Sequence, residues 1–189
     1  GKDSKNRWDS RNAEARKHLI DAGVDIQHRM FNNSIHIGHN KFVVHVPPGN
    51  GPRTVLTGST NWTSTGVAGQ TNNALLIEED AVAGAFLDYW KRMKADELTL
   101  PKPLSKEIND NQQGKNFRKS NEVPSSIDLA QGGKVQVWFS PNRPERKKPT
   151  SKNKPAPVPP DLAEVYRRMR KAEEAILFLA FYPGQSGAD

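Results

Sequence analysis

The amino-acid sequence predicts an α/β fold in which a mixed β-sheet lies between layers of helices. Two observations carry this prediction. Short runs of β-branched or alternating apolar residues, typical of strands, are interleaved with longer segments whose apolar residues recur at the helical period. In addition, the continuous apolar run over residues 175–182 is typical of a central strand that helices cover on both faces.

The first half of the chain contains two predicted helices and four predicted strands. Residues 10–22 have an apolar stripe at helical spacing and end before Gly23, a typical helix stop. Residues 81–96 follow an acidic cluster that suits a helix N-terminus. The predicted core face of this second helix consists of Val82, Phe86, Tyr89, Trp90 and Met93. The predicted strands are residues 24–28, 35–46, 54–57 and 73–77.

The second half of the chain has fewer predicted elements. Residues 97–133 are polar and irregular, and we expect them to form a long connection and not a packed element. Residues 134–139 alternate as a strand, and residues 161–172 carry a helical apolar stripe. Between them, the Lys/Pro-rich residues 144–160 have the composition of a flexible, solvated loop.

Composition excludes several classes of site. The 189 residues include no cysteine, which excludes disulfides, thiolate zinc sites and a cysteine nucleophile. No apolar run is long enough to span a bilayer, and no signal peptide is visible at the N-terminus, so the compartment stays open. The net charge of +7 favours polyanions as partners, although solubility alone is an equally good explanation.

The segment His39-Asn40-Lys41 is the first of two that indicate chemistry. In a strand, residues two apart share a face, so His39 and Lys41 project together while Asn40 and Phe42 point the other way. An imidazole and an ammonium group next to apolar residues are costly to bury without a partner. An anion would satisfy both groups.

The second segment is Gly58-Ser59-Thr60-Asn61. The same alternation places Ser59 and Asn61 on one face, where they supply a hydroxyl and an amide, and Gly58 permits close backbone approach.

Together, the two segments provide a nucleophile and three donors that suit a tetrahedral phosphate. The imidazole of His39 can attack phosphorus to form a covalent phosphoenzyme. Lys41 contributes a point charge, and Ser59 and Asn61 contribute oriented dipoles. This chemistry requires no metal.

These residues resemble the signature of the phospholipase D superfamily, which is His-x-Lys-x4-Asp followed by Gly-Ser-x-Asn. The matching positions are 39–41 and 58–61, and residues 72–80 with the helix after them are also similar, so that the resemblance covers about residues 10–95. It implies an α-β-α sandwich, of which we expect an incomplete copy here. It also implies a phosphodiesterase that acts through a phosphohistidine without a metal or another cofactor.

The sequence departs from the family pattern at two places. Val46 occupies the position of the motif aspartate. The acidic residue that orients the family's histidine corresponds to Asn72 or Asn73, either of which could still accept a hydrogen bond from the ring of His39.

The family's reaction also uses a second histidine, supplied as general acid by a facing copy of the motif. This sequence contains one copy, so we interpret residues 1–96 as a half-domain, 97–133 as the connection, and 134–189 as the opening strand, helix and strand of a second unit. Three explanations stay open. The second motif belongs to the rest of a longer chain, residues 134–182 complete the first half within or between molecules, or a homodimer pairs two motifs.

The expected substrate is a phosphodiester, and phospholipid and nucleic acid both stay open because a basic surface attracts either. Trp62 and His45 are candidates for the cleft, with simple packing or a surface position as the alternatives. A rival interpretation is a binding module that keeps the phosphate pocket without turnover. A purely structural α/β domain would leave the pairing of the two motifs unexplained.

Overall fold

The computed structural model describes residues 13–27, 38–95, 112–142 and 158–177. The chain forms two compact units, of which the first contains Gly1–Phe117 with Ser125–Val137 and the second contains Arg118–Pro124 with Trp138–Asp189. In chain order, the elements of the described residues are α1 (Ala13–Asp21), β1 (Phe42–His45), β2 (Thr54–Gly58), α2 (Ser64–Ala68), β3 (Ala74–Ile77), α3 (Asp80–Ala95), α4 (Gln112–Lys119), β4 (Ser125–Asp128), β5 (Lys134–Val137) and α5 (Pro160–Met169).

The first unit is built on a three-stranded antiparallel sheet in the order β1-β2-β3. The predicted α/β class is therefore confirmed. Every strand pairing within the described residues is antiparallel. The parallel pairing that a mixed sheet would also contain is not found among these residues.

Helix α3 packs on one face of this sheet and forms the core with it. Alternation turns Phe42 and Val44 toward the helix, where the Phe42 ring meets Phe86 edge-on at 5.2 Å between centroids. Tyr89 is only 1% exposed. Burial of each such aromatic side chain stabilises the fold by about 1.5–3 kcal/mol. Trp90, predicted for the same helix face, lies outside this core and is exposed, with the Lys94 ammonium over its ring.

The opposite face of the sheet is apolar and open within the described residues. Val43 pairs with Leu56, and Leu56 pairs with Leu76, so these three side chains form a row across the strands. All three are exposed. A helical layer lies on one face of the sheet in the described part of the chain, which fits the expectation of an incomplete sandwich.

Several predicted boundaries differ from the structure. Residues 24–27 are irregular and not a strand. The predicted strand 35–46 is shorter, because β1 begins only at Phe42; residues 35–37 of that prediction lie outside the described residues, as does residue 28. The predicted strands 54–57 and 73–77 and the predicted helix 81–96 agree with β2, β3 and α3 to within one residue. The predicted helix 10–22 contains α1, and its residues 10–12 lie outside the described residues.

The prediction of an irregular connection over 97–133 is wrong for residues 112–128, and its residues 97–111 lie outside the described residues. Residues 112–128 contain helix α4 and strand β4, and β4 pairs with β5 as an antiparallel hairpin. The hairpin turns through Gly132 and Gly133, whose φ angles of 91° and 95° favour glycine. The hairpin packs on α3, so residues 125–137 belong to the first unit, whereas the sequence placed residue 134 at the start of a second one.

Within the second unit, the Asn121 side chain donates to the Pro141 carbonyl at 3.0 Å. Helix α5 carries a carboxylate held by two guanidinium groups, since Arg167 and Arg168 both donate to Glu164 and lower its pKa to about 2.

The predicted central strand at 175–182 is wrong for residues 175–177, which are not in a strand. Leu177 is 97% exposed and not buried, and residues 178–182 lie outside the described residues. In the part of the chain that the structure describes, no helix is both long and apolar enough to cross a membrane.

Candidate active site

The segment 38–41 leads directly into β1 and keeps the alternation of that strand. Asn40 turns toward α3 and donates through Nδ2 to the Tyr89 hydroxyl at 2.7 Å, as expected for a residue on the face of Phe42. Lys41 therefore lies on the opposite, open face. Its Nζ donates to the His39 carbonyl at 2.8 Å, and partial burial lowers its pKa from the usual value for lysine.

The second motif begins where β2 ends. Ser59 continues the ladder toward β3, because its N–H donates to the Asn73 carbonyl at 3.0 Å. A Cβ added to Gly58 would collide with that same carbonyl oxygen and would lie 2.8 Å from the Cα of Ala74. The close approach of the two backbones at this point therefore requires glycine.

The Ser59 hydroxyl is held by two hydrogen bonds. It donates to Asn72 Oδ1 at 3.0 Å and accepts from the Asn73 N–H at 3.1 Å. The Asn72 amide is fixed in turn, because its Nδ2 donates to the Gly66 carbonyl at 2.8 Å. In this arrangement Ser59 presents a lone pair to a ligand, and donating to a phosphate would cost the bond to Asn72.

A capped turn joins the second motif to helix α2. The Thr63 N–H donates to the Asn61 carbonyl at 2.8 Å, and the Thr63 hydroxyl accepts from the Gly66 N–H at 3.0 Å as the N-cap. The turn thus fixes the backbone of Asn61 between β2 and α2.

Removal of this cap tests how far the turn stabilises the first unit. Thr63→Ala is expected to lower the free energy of unfolding by about 1 kcal/mol, because the Gly66 N–H loses its acceptor. Urea unfolding followed by circular dichroism measures the change. Thr63→Ser keeps the acceptor and is expected to stay within about 0.5 kcal/mol of the wild type. Equal losses in both variants would contradict a capping role.

Two neighbouring clefts bring the motifs together. The larger, of about 370 Å³, is lined by Lys41 and Asn61 together with Trp62 and residues 38, 40, 42 and 63. The smaller, of about 300 Å³, shares Lys41 and Trp62 and is otherwise mainly apolar; it is lined further by Leu56, Thr57, Gly58, Thr60, Val67 and Ala74. Trp62 is 66% exposed, which places it in the cleft wall and not in the core.

The structure does not bring all predicted site residues to these clefts. Neither lining includes His39, Ser59 or His45. Within the described part of the chain, the ring of His39 has no hydrogen-bond partner; Asn72, which the sequence offered as its orienting group, bonds instead to Ser59. Asn73 contributes backbone groups to Ser59. His45 is exposed on β1, about 13 Å along the strand from Lys41.

No group of three or more histidine, cysteine, aspartate or glutamate side chains in the described residues could hold a metal ion.

The family model described as "Cardiolipin synthase, PLD-like domain" matches residues 1–94. Residues 1–94 belong to the phospholipase D superfamily. No curated protein and no solved structure matches the chain.

The phospholipase D-like domain thus contains both motif segments and the whole of the three-stranded sheet. It also contains Val46, which is 44% exposed just beyond the end of β1 and cannot supply the carboxylate of the family's signature. Membership of the superfamily indicates a function of the phosphodiesterase type and specifies neither the mechanism nor the substrate.

Proposed function

We propose that this chain carries one half-site of a phospholipase D-like phosphodiesterase, with His39 as the nucleophile. The observation that best supports this function is the shared cleft of Lys41 and Asn61, because it joins the two motif segments at one surface. An ammonium group and an amide at one cleft can hold a phosphate and stabilise the charge that develops on it.

In the proposed reaction, a ring nitrogen of His39 attacks the phosphorus. A P–N bond forms while the P–O bond to the leaving group breaks, and the leaving oxygen takes a proton from a general acid. Water then attacks the phosphorus and gives up a proton to the same group, the P–N bond breaks, and His39 is regenerated. An alcohol in place of water would give transfer instead of hydrolysis.

The general acid must come from outside this motif. The sequence contains His-x-Lys once, at residues 39–41. The second histidine would therefore be supplied by another part of a longer protein or by a second copy of the chain. The open apolar row of Val43, Leu56 and Leu76 on the Lys41 side of the sheet is compatible with either.

The proposed substrate is a phosphodiester of a phospholipid or a nucleic acid. The family description names cardiolipin synthase, which favours a phospholipid, and the mainly apolar cleft beside Lys41 is compatible with one. The net charge of +7 attracts both classes.

A binding module without turnover is the second candidate function. It is favoured by the Ser59 hydroxyl, whose proton is committed to Asn72, and by Val46 in place of a carboxylate. Both features weaken the support for catalysis while leaving the Lys41 and Asn61 side of the cleft in place.

The test is hydrolysis of bis(p-nitrophenyl) phosphate in the presence of EDTA, with the molecular weight followed by light scattering. We expect metal-independent release of p-nitrophenolate. After rapid alkaline quenching, mass spectrometry should find the p-nitrophenyl phosphoryl group on the peptide that contains His39. Binding of vanadate without any covalent label would favour the binding module. If the folded protein shows no vanadate binding and no covalent label, both functions are refuted.

A further inference from the structure

Asn40 separates the two charged or titratable residues of the first motif and borders the larger cleft with Lys41, but its side-chain amide turns to helix α3. Its Nδ2 donates to the Tyr89 hydroxyl at 2.7 Å and also approaches Met93 Sδ at 3.8 Å. Tyr89 and Met93 are one helical turn apart on α3, so the Asn40 amide docks on a single face of that helix.

This docking point is closely packed. Tyr89 is almost fully buried and its ring lies 5.6 Å from that of Phe117 and 6.2 Å from that of Phe42. Arg92 lies over the Tyr89 ring at 5.5 Å. Packing on several sides therefore holds the Tyr89 ring, independently of its bond to Asn40.

Within the described residues, the motif segment 38–41 has few other attachments. The strand pairing of β1 begins at Phe42 opposite Thr57, so residues 38–41 precede the ladder. Lys41 is tied to β2 by the Thr57 hydroxyl, which donates to its carbonyl at 3.3 Å. The lysine ammonium bonds to His39 and thus stays within the segment.

From these contacts we infer that Asn40 and Tyr89 form a positioning pair that sets the place of His39 and Lys41 relative to the second motif. The pair acts through the backbone: fixing the Asn40 side chain to α3 fixes the direction in which its two neighbours project. The inference rests on the proposed function where catalysis is concerned. Displacement of reacting groups by about 1 Å can cost 100-fold in rate, which is why such an anchor matters.

The experiment is a double-mutant cycle with Asn40→Ala, Tyr89→Phe and the double variant, assayed with bis(p-nitrophenyl) phosphate well below the melting temperature. Each single variant is expected to lower kcat by about 10- to 100-fold while KM changes by less than about threefold. The double variant should lose no more than the worse single variant, because both changes break one hydrogen bond. Tyr89→Phe keeps the ring, so the core is retained.

Asn50→Ala is the matched control, since Asn50 also donates its Nδ2, to the Pro48 carbonyl at 3.1 Å, but in a loop at the other end of β1. It should leave kcat unchanged. Multiplicative losses in the double variant, or kcat equal to that of the wild type in both single variants, would overturn the positioning pair.

A second measurement separates this inference from the proposed function. If the wild-type chain shows no turnover, NMR signals of the His39 ring and of the Lys41 amide serve as the readout. Asn40→Ala and Tyr89→Phe should then shift both sets of signals in the same direction, with no further shift in the double variant. Unshifted signals in the folded variants would reject the pair even though the reaction is never observed.

Discussion

Gly58→Ala is expected to lower the free energy of unfolding of the first unit by about 3 kcal/mol, a large loss for one methyl group. The added Cβ would meet the Asn73 carbonyl oxygen well inside van der Waals contact, and the Ala74 Cα at 2.8 Å. Both obstacles are backbone atoms, so no side-chain rotation can relieve the clash. The Asn73 carbonyl also accepts from the Ser59 N–H, and moving it would loosen the second motif.

Gly84→Ala is the matched control for this prediction. Gly84 lies within α3, and a Cβ there would meet only the Pro52 Cγ at 3.9 Å, an ordinary contact. Alanine in a helix interior should raise the free energy of unfolding by about 0.5–1 kcal/mol. Urea unfolding measures the free energy of unfolding of both variants. If Gly58→Ala is as stable as the wild type or more stable, the backbones of β2 and β3 do not approach each other closely enough to require glycine at position 58.

The first unit shows how far periodicity in the sequence determines structure. Helix 81–96 and the strands at 54–57 and 73–77 could be predicted because each has a strong local pattern that tertiary packing reinforces. Trp90 shares the apolar stripe of α3 in the sequence, yet it is exposed in the structure. Periodicity predicts which residues share a helix face but not which of them the neighbouring elements cover.

The hairpin of β4 and β5 shows what the sequence analysis missed. The signal was present: Gly132-Gly133 precedes an alternating strand, which is typical of a hairpin turn. The polar composition of the surrounding residues 97–133 instead favours an irregular connection. Helix α4 gave a weaker signal, because Phe117 is its one large apolar residue and its burial against Tyr89 depends on residues far away in the chain.

The candidate site also contains features that the local sequence predicts and contacts that it does not predict. Alternation within a strand predicts that Asn40 turns away from Lys41, and the Asn40 amide does bond to Tyr89 of α3, although both residues border the larger cleft. The bond from Asn40 to Tyr89 spans 49 positions, and the bond from Ser59 to Asn72 depends on how the turn after β2 folds. The local sequence pattern predicts neither bond. The family resemblance offers Asn72 or Asn73 as the partner of His39, whereas both residues bond to Ser59 in the structure.

His39→Ala is expected to reduce hydrolysis of bis(p-nitrophenyl) phosphate by about 10⁴-fold or more, because the proposed covalent route has no other nucleophile. The cleft shared by Lys41 and Asn61 does not depend on the His39 ring. Vanadate or inorganic phosphate should therefore still bind to the variant, with an affinity within about tenfold of the wild type. Added imidazole is expected to restore part of the turnover.

His45→Ala provides the control, since His45 is also an exposed histidine on the same face of the strand but lies about 13 Å along it from Lys41. It should keep the full rate and the covalent label at His39. Steady-state rates and mass spectra of the two variants decide between the candidate functions. Equal turnover in the wild type and His39→Ala would exclude a phosphohistidine at position 39. Loss of anion binding in His39→Ala would instead indicate that the histidine contributes to phosphate binding.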